Sequence, residues 1–413
     1  MRNFLLALLL TTGTLLTAQT TRLKVMHYNL LSFGPPCTGV SVVNKYGWLG
    51  TILNHYRPDI LTVNEIGPEL AYGAGILSVS FSYTSQMAVA GFTNVANADR
   101  VNNLFYNKAV LGFVSNTAIT GNIRDINVYK LYLKSGLTPG DTTFLYCIVA
   151  HLKAGNTGSD ENARDLAADD IMAWLRTQGK GQNVLVMGDM NIYGAYEPAY
   201  QAFVSDPDTL VRLYDPTGLQ NGWSGNVHAR HHTQSTRLSA TDCGSSGGMD
   251  DRFDMILLSR TLDRALDRLS LVPDTYAALG NDGSSYNTQL NCNNNPTVPS
   301  NVCGLLRQMS DHLPVVLELE VSTANALESL PEATLRLPNQ PFGAYLTLDL
   351  SPAPSMSAPW TVAVYTLNGA LLYRGLLPSG IHSLPTAHWA RGLYLIRVSS
   401  TGGQSLSRMI QKE

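Results

Sequence analysis

The chain is short of charge. Asp, Glu, Lys and Arg make up 14% of its 413 residues, against about a quarter in ordinary soluble domains. The formal net charge is -3, so no basic excess advertises tight, non-specific binding to nucleic acid. An enzyme that must release its substrate needs none. Cysteine is scarce, with five residues and no CxxC pair, which argues against a structural zinc site. After residue 18 no run reaches the ~20 continuous apolar residues that a membrane-spanning helix requires. Low charge together with many Ser, Thr, Asn and Gly is the composition of an exported protein.

Apolar residues amount to 44%, enough for a full core, and the length allows two or three domains. Met1 to Ala18 combines Arg2, an apolar stretch from Phe4 to Leu10, and Leu16-Thr-Ala18 ahead of Gln19. This is the pattern of a secretory signal peptide over 1–18, with removal after Ala18 expected.

The stretch Gln182-Asn-Val-Leu-Val-Met-Gly-Asp-Met-Asn191 is the one around which the chain is organised. Val184 to Met187 has the length and branching of a buried strand. Asp189 and Asn191 then stand two apart, which on a continuing strand puts both on one face. Taken alone, an Asp/Asn turn after a strand explains this equally well. Other strand patterns end the same way, however. Lys24 to Asn29 ends in an amide, Asp59 to Glu65 in a carboxylate, and Phe144 to His151 in a histidine. Arg252 to Leu258 carries Asp254 in an apolar frame, and Asp311-His312 precedes the run Leu313 to Leu317. One polar site at the edge of one core accounts for all six endings. Separate burial of so many polar groups would be costly without a ligand to meet them.

Asn29, Glu65, His151, Gly188-Asp-Met-Asn191, Arg252-Phe-Asp254 and Ser310-Asp-His312 resemble, in order and spacing, the motifs of the endonuclease/exonuclease/phosphatase superfamily, the DNase-I-like fold. The likeness spans 22–321. It implies an α/β protein, a four-layered α/β sandwich, and fits the mixture of hairpin signals and strand–helix alternation. The family usually has Gln before its metal glutamate, where this chain has Asn64.

Glu65, Asn29 and Asp311 are the metal ligands that the resemblance implies. Hard oxygen donors without cysteine suit Mg²⁺, with Mn²⁺ or Ca²⁺ as alternatives. His312 paired with Asp254 would form a dyad, His312 activating water or steadying phosphoryl oxygens. Asp189 competes for the role of general base, Asn191 orients water or phosphate, and His151 contacts phosphate or protonates the leaving oxygen. Arg237, in Gln234-Ser-Thr-Arg237, is the expected phosphate contact. These residues point to a metal-dependent phosphodiesterase, a nuclease with DNA or RNA as its partner. The alternatives are a sphingomyelinase-like or sugar-phosphate phosphoesterase, with Trp223 as an exposed anchor for the lipid case, and an inactive surface binding module.

The remaining segments divide into helices, loops and short strands. Helices are expected over Trp48–Tyr56 and Asp160–Thr177, and a hairpin over Leu104–Val114 turning at Asn107-Lys108. Gly218 to Gly248, with its histidines, reads as a surface loop rather than a zinc cluster, and Asn281 to Asn301 as loop. Cys147 reads as a free core thiol. Cys292 with Cys303 is the favoured disulfide and Cys37 with Cys243 the second, although spacing alone fixes no pairing. Beyond a linker at 322–340, short strand patterns and turn signals over 341–413 predict a small all-β sandwich. Val364 to Ala370, Gly392 to Arg397 and the basic tail from Ser407 to Lys412 resemble a type IX secretion sorting domain of Bacteroidetes. That likeness implies the type IX secretion machinery as a partner and a secreted or cell-surface location. An accessory carbohydrate-binding or Ig-like domain is the alternative.

Overall fold

The computed structural model describes residues 21–34, 37, 41–134, 142–240, 242–322, 335–350, 360–366, 371–399 and 405–413. The expected signal peptide, most of the expected linker and the turn at 368–369 lie outside them. No described helix is long and apolar enough to cross a membrane.

In chain order the first thirteen strands are β1 (Thr21–Phe33), β2 (Ile60–Ile66), β3 (Met87–Val89), β4 (Val101–Asn107), β5 (Leu111–Ile119), β6 (Ile126–Leu133), β7 (Phe144–His151), β8 (Val184–Asp189), β9 (Leu213–Tyr214), β10 (Asp254–Ser259), β11 (Leu269–Leu271), β12 (Ala277–Ala278) and β13 (Val315–Val321). They form two sheets, ordered β11-β13-β1-β2-β4-β3 (with β12 on β13) and β5-β6-β7-β8-β10-β9. The helices are α1 (Val42–Tyr56), α2 (Leu70–Gly75), α3 (Gly158–Trp174), α4 (Pro198–Val204), α5 (Arg260–Asp263) and α6 (Ser300–Met309).

Side-chain alternation along the strands builds the layers. On β1, Leu23 and Val25 face the second sheet, while Met26, Tyr28 and Leu30 face α1 and α6. On β8, Leu185 and Met187 face the first sheet, while Val184 and Val186 face α3 and α4. One apolar cluster therefore fills the space between the sheets, and two others lie beneath the helices. The result is the four-layered α/β sandwich expected from the sequence.

The helices start and stop for local reasons. Ser41 caps α1, its side chain accepting from the Val43 N–H, and Arg57 at φ 59° ends it before Pro58. The helix therefore begins six residues before the expected Trp48. Thr157 and Asp160 form a capping box at the start of α3, with Asp160 and Glu161 in its positive first turn. The chain continues past Trp174 as a wider turn to Gly179.

The expected hairpin over Leu104–Val114 is not one. β4 belongs to the first sheet and β5 to the second, so Lys108 to Val110 cross between layers. Turn residues between two apolar runs look the same whether the strands pair or part. Trp223 is also different from expectation: it is fully buried, edge-on to Tyr200 at 5.1 Å and beneath the Arg252 guanidinium at 5.2 Å. The segment around it is mostly exposed or half-buried, as expected of a surface loop, but His232, Thr233, Ser235 and Thr236 are buried, with His232 Nε2 2.7 Å from the Trp223 carbonyl.

Gly188 is required by the parallel pairing of β7 with β8. A Cβ at Gly188 would stand 1.9 Å from the Ala150 carbonyl oxygen, which is backbone and has nowhere to go. Gly188→Ala is expected to lower stability by about 2 kcal/mol or more, read as a fall in the midpoint of urea unfolding. An unchanged midpoint would contradict this packing.

The C-terminal region has β14 (Tyr345–Asp349) paired with β17 (Ile381–Pro385), and β16 (Leu371–Leu377), β15 (Trp360–Thr366), β18 (Gly392–Ser399) and β19 (Ser405–Lys412) in a second sheet. Leu346, Leu348, Trp360, Val362, Ile396 and Val398 pack into one core between them. The basic tail is the edge strand β19, and Leu335 joins this core, so its packing begins ahead of residue 341.

Candidate functional site

The inward-facing rows of the strands change character at one end of the sandwich. Val25 is followed on its face of β1 by His27 and Asn29, Ile60 on β2 by Thr62 and Asn64, and Leu104 on β4 is preceded by Asn102. Val149 on β7 is followed by His151, Met187 on β8 by Asp189, and Ile256 on β10 is preceded by Asp254. The apolar middle layer thus ends in a polar layer assembled from six strands.

Glu65 enters this layer by breaking the alternation. Leu61 and Val63 pack on the helix side, and strict period 2 would send Glu65 after them. Its φ of 58° and a register shift between Val63 and Ile66 turn it inward instead. There its Oε1 accepts from Asn29 Nδ2 at 3.1 Å and its Oε2 from the Ser32 N–H at 2.9 Å. Ser32 and Leu31 are left-handed as well, at φ 51° and 48°. The buried Lys45 ammonium bonds the carbonyls of Leu30 (2.9 Å) and Leu31 and holds that bend. Burial, opposed by Asp242 and Glu65, pulls the Lys45 pKa down to about 8.

Around Glu65 the side chains are tightly set. Asn29 Nδ2 also donates to Asp189 Oδ2 at 2.9 Å, and its Oδ1 accepts from the Leu31 N–H. His151 Nε2 lies 3.5 Å from Asp189 Oδ2 and 3.9 Å from Glu65 Oε1. His312 Nδ1 meets Asp254 Oδ2 at 2.7 Å, and its Nε2 is 3.6 Å from Asp189 Oδ2. Asn191 is left-handed at φ 51° and donates through Nδ2 to the Leu152 carbonyl at 3.2 Å. Its place beside Asp189 thus comes from that turn, since β8 ends at Asp189. Asn64 accepts the Asp189 N–H at 2.8 Å and donates to Asn102 at 2.7 Å, fixing Asp189 from behind. Glu65, His151, Asp189, Asn191, Asp311 and His312 line one cavity of about 290 Å³.

Burial raises the Glu65 carboxyl, but His151, His312 and the bonds from Asn29 and Ser32 outweigh it and bring it to about 2. Burial lowers His151 to about 4 against the pull of Asp189, so its ring is neutral at pH 7. Burial also acts against a charged His312, yet Asp254, Asp189 and Asp311 prevail and hold it well above the usual histidine value. Asp189 is raised, first by burial. Behind the dyad His27 is neutral, burial taking it to about 3.

Two compact groups of ligand atoms occur among the described residues: Glu65–His151–Asp189 and Asp189–Asp254–His312. Their carboxylates, with the nearby amides, are donors that fit a hard divalent cation. Of the expected ligands, Glu65 belongs to the first group. Asn29 lies beside it with its oxygen already engaged. Asp311 lies in neither group, its Oδ2 accepting from Gln234 Nε2 (3.0 Å) and the Ser245 N–H (2.7 Å). No histidine of 228–232 belongs to either.

Arg237 is placed away from this expectation. Its guanidinium is spent on Asp242 at 2.6 Å and on the carbonyls of Arg307 and Gln308, and it does not line the cavity. Gln234, three residues earlier, does line it and stands 2.6 Å from His312 Nε2. That contact is a hydrogen bond only while His312 Nε2 lacks a proton, and the carboxylates around the ring favour the proton. Arg124 lies close enough to act electrostatically on His151, and its Nη1 is buried without a hydrogen-bond partner. Nothing in the sequence marked Gln234 or Arg124, since neither belongs to a strand ending.

Both expected disulfides are present, Cys37–Cys243 and Cys292–Cys303, with Cys147 free and buried. The first ties down the loop whose Ser245 N–H holds Asp311.

Arg252 anchors the strand that carries Asp254. It makes a bidentate pair with Asp215, 2.7 and 2.9 Å, both side chains being buried. Burial would raise Asp215, but Arg252 holds it below the usual carboxylate value. Its contribution to stability is present above that usual value and is lost as pH falls through the depressed one. Asp215→Asn is expected to cost about 3–5 kcal/mol by stranding the guanidinium, measured as a lowered thermal midpoint. A drop of under about 1 kcal/mol, the scale of exposed pairs, would refute the anchor.

No family model and no curated protein matches the chain. Solved structures do. An endonuclease/exonuclease/phosphatase from Bacteroides vulgatus is 14% identical, with a TM-score of 0.47 over 73% of this chain and 99% of that one. D. rerio TDP2 complexed with single strand DNA product is 14% identical, TM-score 0.45, over 72% and 99%. A Bacteroides thetaiotaomicron mannosyl-6-phosphatase is 14% identical, TM-score 0.40, over 72% and 99%.

Proposed function

We propose that the chain is a divalent-metal-dependent phosphodiesterase, and that it is a nuclease acting on extracellular DNA or RNA. One observation carries the reading: Glu65, Asp189, Asn191, Asp311, His151 and His312 converge on one cavity at the end of the middle layer. So many buried ionisable groups at one edge are costly to a fold and useful to a phosphoryl site. Glu65, with Asp311 nearby, would hold the cation, Mg²⁺ in preference to Mn²⁺ or Ca²⁺. When bound, it supplies positive charge to the phosphoryl oxygens as negative charge grows there.

The chain's own groups do the rest. Asp254 fixes His312 through Nδ1 and keeps it cationic, so its Nε2–H faces the cavity as a donor to a phosphoryl oxygen. That proton ends the donation from Gln234 Nε2 to the ring, while Gln234 keeps its bond to Asp311. Asp189, its pKa raised by burial, stands as acceptor for the proton of the attacking water, with Asn191 beside it. His151, neutral, orients against Asp189. Arg124, which lines the adjoining cavity beside His151, is the cation available to a phosphate where Arg237 is spent on Asp242.

The lipid alternative relied on Trp223 as an exposed anchor, and its burial removes that support. Two disulfides suit an oxidising compartment and favour export by the expected signal peptide. The C-terminal β unit would serve the type IX secretion machinery.

The test is a hydrolysis panel of DNA, RNA, sphingomyelin and sugar phosphates with Mg²⁺, Mn²⁺, Ca²⁺ or EDTA. Metal-dependent cleavage of nucleic acid that EDTA abolishes is expected. Hydrolysis of sugar phosphates alone would overturn the nuclease reading.

A further inference from the structure

A second cavity, about 340 Å³, shares the His151 wall with the first. Its size falls within the range of small-ligand sites. Its inner end is cationic and under-satisfied. Arg124 and His151 line it, and Arg124 Nη1 and His151 Nδ1 are both buried with no hydrogen-bond partner. His151 itself is only 6% exposed, and a buried unpartnered polar atom costs about 1–3 kcal/mol. Such a cost persists where a ligand meets the group.

The walls have a different character. Ala163, Leu166, Ala167 and Asp170 fall at i, i+3, i+4 and i+7 of α3, one helical stripe. The alanines leave a shelf, and Leu166 stands above it, 58% exposed, with Ile123 at 51% on the loop between β5 and β6. These two large apolar groups border the cavity and offer apolar contact to a ring. Beyond them stand the exposed Asp169 and Asp170, Asp170 Oδ2 accepting from Asn122 Nδ2 at 3.2 Å, while Lys153, the other cationic lining group besides Arg124, is paired with Asp160 at 2.7 Å. A phosphate fits the inner end and is repelled by these two carboxylates.

We infer that this cavity is a base-recognition subsite: it takes the nucleobase next to the reacting phosphate, its faces on Ile123 and Leu166 and its N–H edge on Asp169 and Asp170. The inference rests on the nuclease reading above. Ionised carboxylates only accept hydrogen bonds. Guanine offers two adjacent N–H donors to one carboxylate. Thymine and uracil offer a single N–H between two carbonyl oxygens, which carboxylates repel. The subsite therefore selects guanine and rejects thymine and uracil, by attraction and repulsion together.

The experiment uses the full chain on a mixed-sequence single strand, digested partially and sequenced at the new ends. Bis(p-nitrophenyl) phosphate, a diester without a base, serves as control. The expected result is enrichment of guanine over thymine at one position beside the cut by about tenfold, worth ~1.4 kcal/mol. Replacing that guanine by inosine, which lacks the amino group, reduces the preference. The double variant Asp169→Asn, Asp170→Asn flattens it while hydrolysis of the control diester is unchanged. Cleavage of nucleic acid without base preference, or with a preference the variant keeps, overturns the subsite and leaves the nuclease reading standing. Hydrolysis of the control diester without any cleavage of nucleic acid overturns both.

Discussion

Replacing Glu65 by glutamine is expected to reduce metal-dependent hydrolysis by about a thousandfold or more, close to 4 kcal/mol of transition-state stabilisation, and to leave the fold in place. The side chain keeps its shape, and one oxygen remains to accept the Ser32 N–H now bonded at 2.9 Å. What disappears is the negative charge. The carboxyl titrates at about 2 because His151, His312, Asn29 and Ser32 together overcome its burial, so it is fully ionised wherever the enzyme would work. A depressed carboxyl contributes stability above its unfolded value and loses it as pH falls through about 2. Some stability at neutral pH is therefore lost with the charge. The check pairs turnover of a phosphodiester with calorimetric titration of Mg²⁺. Equal turnover and equal metal affinity in the variant would sink the assignment of Glu65 to the metal.

The sequence announced where the strands end but not how the chain turns there. His151, Asp189 and Asp254 were legible because they sit on the same alternating rows as the apolar residues beside them. Glu65 and Asn191 were legible as polar residues at strand ends, but not in how they reach the site. Both are placed by left-handed residues, and period 2 alone sends Glu65 to the wrong face. Gln234 and Arg124 come from loops, where no periodicity constrains direction. Arg237 was sought as the free cation, yet a partner five residues on, Asp242, consumes it, and local pairing of that kind leaves no pattern in a sequence. The layers were readable because buried strands and helices leave apolar runs and periodicities in the sequence, which fit the sandwich that the resemblance implies. The crossing from β4 to β5 was not, because a turn signal records a reversal of the chain and not which sheet receives it.

Asp254→Asn separates two roles for His312. The carboxylate bonds Nδ1 at 2.7 Å and is the largest influence raising that histidine against its burial. Asparagine keeps the volume but presents either an amide donor or an uncharged oxygen. Loss of the correctly oriented, charged ring is expected to cost about 10³–10⁴ in turnover, the scale of a wrong tautomer in a catalytic His–Asp pair. The pH profile carries the sharper distinction. If cationic His312 steadies the phosphoryl oxygens, activity persists above neutrality and declines only as pH rises through its elevated pKa. Removing Asp254 lowers that pKa, so the alkaline limb of the remaining activity moves to lower pH. If neutral His312 is instead the general base, activity rises with pH through the same pKa, and the variant shifts an acid limb downward. The elevated pKa favours the first outcome, since at pH 7 the ring already holds the proton that a base would need to lack. An acid limb that moves, with no alkaline limb, would transfer the base from Asp189 to His312.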